Sequence, residues 1–268
     1  IVPPVPGLHS AVGLLEALPE YHFVQTFFSR ASDVDPAGLT GAYEKLESRA
    51  VEALAGLHGP SWGDRRWFDL PSIVMPKPGD AEAAKGLGDV AVMAADITLD
   101  KLGGKVSDED RLTLTTSMGL VTPWLLAEPE RFSLMHGDYR LDNLLFDPER
   151  TRVTVVDWQT IGLGLPTRDL AYFAATSLRP DDRAGLERDL VERYHRALVG
   201  YGVPDYDLQT CWQDYRLGVL QAPLLTTLGY AFAASTERGD EMILTMLHRG
   251  CRAIRELDAI ELVRSYQA

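Results

Sequence analysis

Cysteine and positive charge are both scarce in this sequence. Its 268 residues include only two cysteines, and 26 lysines and arginines stand against 39 aspartates and glutamates, for a net charge of −13. Two cysteines are too few for a disulfide framework or a cysteine-rich zinc site, which favours a reducing, cytoplasmic location. The acidic balance argues against a nucleic-acid-binding protein, because such proteins need a basic surface to displace counterions. A nucleotide ligand remains compatible with this charge, since backbone N–H groups and a metal ion can hold phosphate locally.

Long apolar segments are missing as well. Residues 217–236 carry no charge, but glutamine, threonine, serine and proline interrupt their apolar character. We therefore predict a buried core helix there rather than a membrane-spanning one. A secretory signal has a basic segment followed by an apolar one, and the first residues of this sequence do not show that pattern. No membrane partner is predicted.

Helical periodicity dominates the chain. The apolar spacing predicts helices over 39–57, 81–102, 107–126, 168–178, 181–201, 207–235 and 237–266. Short apolar, β-branched or aromatic segments predict strands over 22–28, 132–135, 144–146 and 153–156, the last two forming a hairpin, with irregular chain over 29–38, 61–79 and 158–167. Few strands among many helices indicate an α+β class and argue against a parallel α/β sheet.

One polar segment carries a pattern typical of phosphoryl transfer. His136 lies two residues before Asp138, and Asn143 lies five residues after it, which is the spacing of a kinase catalytic loop. Transfer from ATP needs a carboxylate that accepts the proton of the attacking hydroxyl, and oxygen ligands that hold Mg²⁺. The predicted hairpin returns the chain to Asp157. The pattern therefore predicts a catalytic loop over 136–143 and a metal-binding segment over 155–158.

These residues resemble the catalytic core of the aminoglycoside phosphotransferase and choline kinase family. Residues 156–159 (Val-Asp-Trp-Gln) and 169–173 (Asp-Leu-Ala-Tyr-Phe) are similar to the ecdysteroid-kinase-like branch and its bacterial relatives. The end of the first predicted helix, with His58, is similar to the same branch. The resemblance covers the chain from about residue 40 to the carboxy terminus.

The resemblance implies a protein-kinase-like fold, with ATP and Mg²⁺ as cofactors. It implies that Asp138 is the catalytic base and that Asn143 and Asp157 are magnesium ligands. It also implies that Asp169 braces the catalytic loop by accepting hydrogen bonds from the loop backbone. For His136 we predict a packed, loop-supporting role rather than proton transfer.

Several neighbouring residues allow two interpretations each. Arg140 could contact phosphate or substrate, or form an ion pair within the loop. Asp142 could be a metal ligand, although a loop-capping role is the simpler prediction. Trp212 and Tyr215 are either core residues or part of a substrate pocket.

The amino-terminal part departs from the family pattern. The small lobe of the family supplies a loop over the nucleotide, a strand lysine that binds the phosphates, and a glutamate that pairs with the lysine. The five lysines of this sequence all lie within or after the first helix of the large lobe, so the nucleotide lysine is unknown. We interpret residues 1–38 as a remnant of the small lobe and hinge, and 39–268 as the helical large lobe. Because Ile1 is not a natural start, we expect the missing parts upstream.

The sequence therefore predicts an ATP- and Mg²⁺-dependent phosphotransferase that acts on a hydroxyl group of a small-molecule alcohol. One alternative is a catalytically silent kinase-like binding module that lacks the lysine-bearing lobe. Another is a metal-dependent phosphohydrolase that uses Asp138 and Asp157. A homodimer is a further prediction, since an isolated large lobe exposes the apolar surface that meets the small lobe.

Overall fold

A computed structural model describes residues 22–23, 36–70, 75–147, 151–234 and 236–267. Most of this part of the chain is helical. The helices are α1 (Pro36–Ser61), α2 (Ala81–Leu102), α3 (Asp108–Met118), α4 (Val121–Leu126), α5 (Thr167–Ser177), α6 (Pro180–Gly200), α7 (Leu208–Gly218), α8 (Gln221–Ala231), α9 (Glu237–Glu256) and α10 (Ala259–Ser265). The strands are β1 (His22–Phe23), β2 (Ser133–Met135), β3 (Leu144–Phe146), β4 (Val153–Val155) and β5 (Gly162–Gly164).

The helix α2 has the predicted bounds because both of its ends are capped. The Asp80 side chain accepts a hydrogen bond from the backbone N–H of Ala83, and Gly103 follows the last turn with a φ of 55°. The next predicted helix, 107–126, begins as expected, with the Ser107 side chain capping α3. It is not continuous, however, since the chain breaks at Gly119 between α3 and α4. Glycine is a weak helix former, which allows the break.

Two longer predicted helices are also divided. The range 207–235 contains α7 and α8, and 237–266 contains α9 and α10. The second division lies at Asp258, whose φ of 50° is incompatible with a continuous right-handed helix. The apolar spacing of the sequence continues across both divisions, so it predicted one helix in each range. Within the uncharged region 217–236, residues 217–231 are mostly buried, as predicted, but they belong to the end of α7 and to α8 rather than to one helix, and Phe232 is exposed. No helix in the described ranges is long and apolar enough to cross a membrane.

The first helix extends beyond its predicted ends. It begins at Pro36, inside the range predicted as a loop, and continues through Pro60 to Ser61. Proline has no N–H to donate within a helix, so the sequence predicts that the helix ends before Pro60. The Ser61 hydroxyl donates to the Leu57 carbonyl at 2.8 Å and reaches the His58 carbonyl at 3.2 Å, which satisfies carbonyl groups in this last turn.

Two small antiparallel sheets frame the candidate site. One has the order β1-β3-β4, and the hairpin of β3 and β4 pairs Leu144 with Val155, as predicted. The other pairs β2 with β5 and places Leu134 opposite Leu163. The strand β5 was predicted as irregular chain because two of its three residues are glycine, which has low β-propensity. Of the predicted strand 22–28, only residues 22–23 lie within the described part.

The helix α5 lies at the centre of the molecule and positions the site. Ten of its eleven residues are buried, and it packs against α7, α8, α9 and α6. The helix α1 packs against α6 and β2. Because α5 is buried on all sides, the polar side chains near its start have fixed positions from which they reach the neighbouring loop.

Candidate active site

The backbone of the predicted catalytic loop is held by one buried carboxylate. Asp169, in the first turn of α5, accepts a hydrogen bond from the N–H of His136 at 2.6 Å and another from the N–H of Gly137 at 2.9 Å. The carboxylate also lies 3.3 Å from Nε2 of His58, whose Nδ1 lies 2.6 Å from the Tyr194 hydroxyl. All four side chains of His58, His136, Asp169 and Tyr194 are fully buried. The loop is thus tied to α1, α5 and α6 together.

Gly137 fills a position that no other residue fits. Its φ is +87°, a conformation that residues with a Cβ rarely adopt. A Cβ placed on it would lie 2.3 Å from the carbonyl oxygen of Thr160. The Gly137 carbonyl accepts a hydrogen bond from Nε2 of Gln221 at 3.0 Å, which joins the loop to the start of α8.

Replacing Gly137 with alanine is therefore expected to lower stability by at least about 2 kcal/mol, because both the backbone conformation and the space oppose a methyl group. A urea-unfolding curve of Gly137→Ala measures this loss. Gly185→Ala is the control, since nothing lies within 4 Å of its Cβ position. Equal stability of the two variants would contradict the loop geometry.

Both carboxylate oxygens of Asp138 have hydrogen-bond donors. Oδ1 accepts from the Tyr172 hydroxyl at 2.7 Å, and Oδ2 accepts from Nδ2 of Asn143 at 3.1 Å. Burial raises the pKa of Tyr172 well above its usual value, and the negative charge of Asp138 adds to this effect. The Tyr172 phenol therefore stays protonated and acts as a donor. The Asp138 side chain keeps about a quarter of its surface exposed, so a ligand can reach it.

His136 and Asn143 connect the loop to the hairpin. The Asn143 carbonyl accepts from the N–H of Val156 at 3.0 Å, and His136 Nε2 lies 2.9 Å from the Val156 carbonyl. The N–H of Asp138 donates to His136 Nδ1 at 3.3 Å, so Nδ1 is the unprotonated nitrogen and Nε2 carries the hydrogen. The amide nitrogen of Asn143 also donates to the Asp138 carbonyl at 2.8 Å, which leaves its amide oxygen to serve as a ligand.

Asp157 lies two residues after the end of β4 and has an unusual backbone conformation. Its φ of 64° and ψ of 63° are left-handed, and its side chain is exposed. Strained backbone of this kind is concentrated at functional sites. Within the described residues, no group of three or more His, Cys, Asp and Glu side chains forms a metal site. The candidate donors here are instead the Asp157 carboxylate and the Asn143 amide oxygen, a donor set of hard oxygen atoms that suits Mg²⁺.

Arg140 forms ion pairs with the acids of its own loop. Its NH2 lies 3.2 Å from Asp142 Oδ2, and its Nε lies 3.7 Å from Asp138 Oδ1. Burial tends to lower the pKa of Arg140, but the charges of Asp142, Asp138 and Asp157 outweigh it and raise the pKa above its ordinary value. NH1 approaches the Met246 sulfur of α9 at 3.7 Å. The ion-pair interpretation thus has direct geometric support.

The other candidates lie away from the loop. Tyr215 is fully buried and donates to Glu187, so the interpretation as a substrate-pocket residue is wrong for it. Trp212 stacks on Tyr215 and lies beneath the Arg188 guanidinium. The four lysines whose side chains are described bind elsewhere: Lys77 to Phe68, Lys85 to Asp89, Lys101 to the end of α8, and Lys105 to Asp240.

Three residues of the site were not singled out from the sequence. They are Tyr172, which contacts Asp138, Tyr194, which contacts His58, and Gln221, which contacts Gly137. Tyr172 carries a usable signal, because it lies three residues after Asp169 and therefore on the same helical face. The other two come from helices far away in sequence, and no local pattern points to them.

Comparison of the sequence with known families identifies the family of this chain. The sequence pattern of the phosphotransferase enzyme family covers residues 44–208, more than half of the chain. The chain belongs to this family. The matched region contains the whole loop, the hairpin and the start of α5. The fold is the kinase-like phosphotransferase fold that the sequence predicted, mostly helical with few strands.

Several known proteins are similar in sequence or structure to part of this chain. "Acyl-CoA dehydrogenase family member 10" of Mus musculus is 30% identical over 182 residues, which are 57% of this chain and 17% of the relative. "Acyl-CoA dehydrogenase family member 11" of Homo sapiens is 49% identical over 43 residues, 16% of this chain and 6% of the relative. The chain therefore spans less than a fifth of these curated relatives. A Ralstonia eutropha crystal structure, named provisionally as an aminoglycoside phosphotransferase, covers 77% of this chain and 64% of its own, with 18% identity and a TM-score of 0.44.

Proposed function

We propose that the protein is an ATP- and Mg²⁺-dependent phosphotransferase that phosphorylates a hydroxyl group of a small molecule. The observation that carries this proposal is the contact of the Asp138 carboxylate with the Asn143 amide at 3.1 Å, in a loop whose backbone Asp169 holds. Membership of the phosphotransferase enzyme family supports the same chemistry. Asp138 is the proposed base because its carboxylate is both held and reachable.

In the proposed reaction, the acceptor oxygen forms a bond to the γ-phosphorus of ATP while the bond from that phosphorus to the bridging oxygen breaks. ADP leaves with the electron pair of the broken bond, and Asp138 accepts the hydroxyl proton. Bound Mg²⁺ would supply charge neutralisation at the phosphates. Asn143 and Asp157 would hold it, and two protein ligands suffice because Mg²⁺ usually keeps several waters and binds the phosphates as well.

The finer assignments are part of the same proposal. The motifs at 156–159 and 169–173 support the ecdysteroid-kinase-like branch, and the helical part after residue 39 supports its interpretation as the large lobe. We propose that residues 1–38 belong to the small lobe and hinge. The low cysteine content supports a proposed cytoplasmic location, and a homodimer remains a prediction.

Two classes of acceptor belong in a substrate screen. The family resemblance suggests aminoglycosides, whose positive charge complements an acidic protein. The relatives are named as acyl-CoA dehydrogenase family members, which suggests hydroxylated acyl compounds as the second class. ADP release that depends on the acceptor identifies the class, and ADP release without any acceptor would favour the phosphohydrolase alternative.

The proposed metal ligand gives a test with two opposite effects. Asp157→Gly removes a carboxylate ligand, so we expect Mg²⁺-dependent ATP binding to weaken at least about tenfold. The same change relieves the left-handed backbone, so the unfolding free energy should rise by up to about 1 kcal/mol. Calorimetric titration of ATP at several Mg²⁺ concentrations and a thermal melt of the full-length protein measure the two effects.

Asp205 offers a matched control for this test. It is also exposed and left-handed, with a φ of 49°, but it lies in the connection between α6 and α7. Asp205→Gly should therefore increase stability without changing ATP binding. Unchanged Mg²⁺ dependence in Asp157→Gly would remove Asp157 from the metal site.

A further inference from the structure

The helix α5 holds the proposed base at two separate points. Asp169 holds the backbone on the amino-terminal side of Asp138, and Tyr172, one turn later on the same helix, donates to Asp138 Oδ1 at 2.7 Å. The two holding residues share one rigid, buried element, since ten of its eleven residues are buried. The loop backbone and the base carboxylate therefore have fixed positions relative to each other.

The Tyr172 hydroxyl competes with a cation for the same oxygen atom. Arg140 Nε lies 3.7 Å from Asp138 Oδ1, beyond a hydrogen bond, and this nitrogen is buried with no hydrogen-bond partner among the described residues. A charge-assisted bond between guanidinium and carboxylate is stronger than a neutral one. Without the Tyr172 hydroxyl, we therefore expect the Asp138 carboxylate to turn toward Arg140 and away from an acceptor hydroxyl.

We propose that Tyr172 is a positioning residue that fixes the Asp138 carboxylate in the orientation needed to accept the acceptor proton and keeps it from turning into a hydrogen bond with Arg140. This inference rests on the proposed function, because it assumes that Asp138 is the base. Asn143 holds the other oxygen, so the two donors together define the carboxylate plane. Within the described residues, Tyr172 makes no hydrogen bond to the proposed metal ligands Asn143 and Asp157, so its effect should fall on turnover rather than on nucleotide binding.

The test compares two tyrosine variants in the full-length protein. Tyr172→Phe removes only the hydroxyl, and we expect kcat to fall about 10- to 100-fold, the effect of misplacing a reacting group, while KM for Mg²⁺-ATP changes less than threefold. Tyr215→Phe is the matched control, because Tyr215 is also buried and also donates to a carboxylate, that of Glu187 at 3.1 Å. It should lose a similar amount of stability and keep its kcat. Equal kcat in the two variants would overturn the proposal.

Two further measurements separate this proposal from the one it rests on. If Asp138→Asn keeps full turnover, the assignment of the base fails; if Asp138→Asn is inactive and Tyr172→Phe is fully active, only the role of Tyr172 fails. A proton NMR spectrum tests the contact without turnover. The buried Tyr172 hydroxyl should give a downfield signal that is absent in Tyr172→Phe and moves upfield in Asp138→Asn, because a neutral amide is a weaker acceptor. A signal that does not move in Asp138→Asn would overturn the proposal.

Discussion

Asp138→Asn is expected to lower phosphate transfer by about 10²- to 10⁴-fold, the usual loss when a general base is removed. Asparagine has nearly the same shape as aspartate, and its amide oxygen can still accept from Tyr172. Asn143 also keeps its bond to the backbone carbonyl of residue 138, at 2.8 Å. The bond from Asn143 to Oδ2 is lost, but this side chain is partly exposed, so the loss costs less than at a buried site. The fold and the affinity for Mg²⁺-ATP should therefore change little, while the side chain can no longer accept a proton. Steady-state ADP release and calorimetric ATP titration measure the two properties.

Asp240→Asn is the matched control for this variant. The Asp240 carboxylate also accepts from a tyrosine hydroxyl, that of Tyr230 at 2.5 Å, and lies near Lys105 rather than at the loop. It should retain wild-type turnover. If Asp138→Asn turned over as fast as Asp240→Asn, the assignment of Asp138 as the base would be wrong.

Asp169→Asn is expected to produce the largest loss of stability, about 2–4 kcal/mol. The carboxylate accepts from two backbone N–H groups, those of His136 and Gly137, one on each oxygen. An asparagine side chain offers one acceptor oxygen and one NH₂ donor in place of two acceptor oxygens. One of the two backbone N–H groups therefore faces the NH₂ group and loses its acceptor. Leaving a buried donor without a partner costs about 1–3 kcal/mol. The loss of a charged acceptor for the remaining bond adds to that. The melting temperature should fall by roughly 5–10 °C.

Asp207→Asn provides the comparison for this change. Its side chain caps α7 by accepting from the N–H of Thr210 at 2.7 Å, and asparagine caps helices as well as aspartate does. Asp207→Asn should therefore melt within about 2 °C of the wild type, given the usual size of surface effects. A melting temperature of Asp169→Asn equal to that of Asp207→Asn would contradict the role of Asp169 in holding the loop.

The parts of the molecule that the sequence predicted well are those with local signals. The helix α2 has caps at both ends, and the β3–β4 hairpin joins an apolar segment, Leu-Leu-Phe, to a β-branched one, Val-Thr-Val, so their positions followed from neighbouring residues. The breaks at Gly119 and Asp258 were missed because periodicity continues through them. The strand β5 was missed because its pairing with β2 depends on chain about thirty residues away.

In the candidate site, too, the residues with a local sequence signal were predicted and those brought in by tertiary packing were not. The spacing of His136, Asp138 and Asn143 is local, and the structure brings these residues together in one loop with direct contacts. Gln221 and Tyr194 belong to distant helices, and only tertiary packing brings them to the loop. The unpredicted backbone conformation of Asp157 likewise depends on how the hairpin ends.

The protein is proposed to transfer the γ-phosphate of ATP to a hydroxyl group with Asp138 as the base. The most direct measurement incubates the full-length protein with Mg²⁺-ATP and the acceptor panel, and detects the phosphorylated acceptor by mass spectrometry. We expect one acceptor to gain a single phosphate with stoichiometric ADP, and this product to be lost in Asp138→Asn. Phosphorylated acceptor formed equally by the wild type and Asp138→Asn, or ADP and free phosphate with no phosphorylated acceptor, would contradict this proposal.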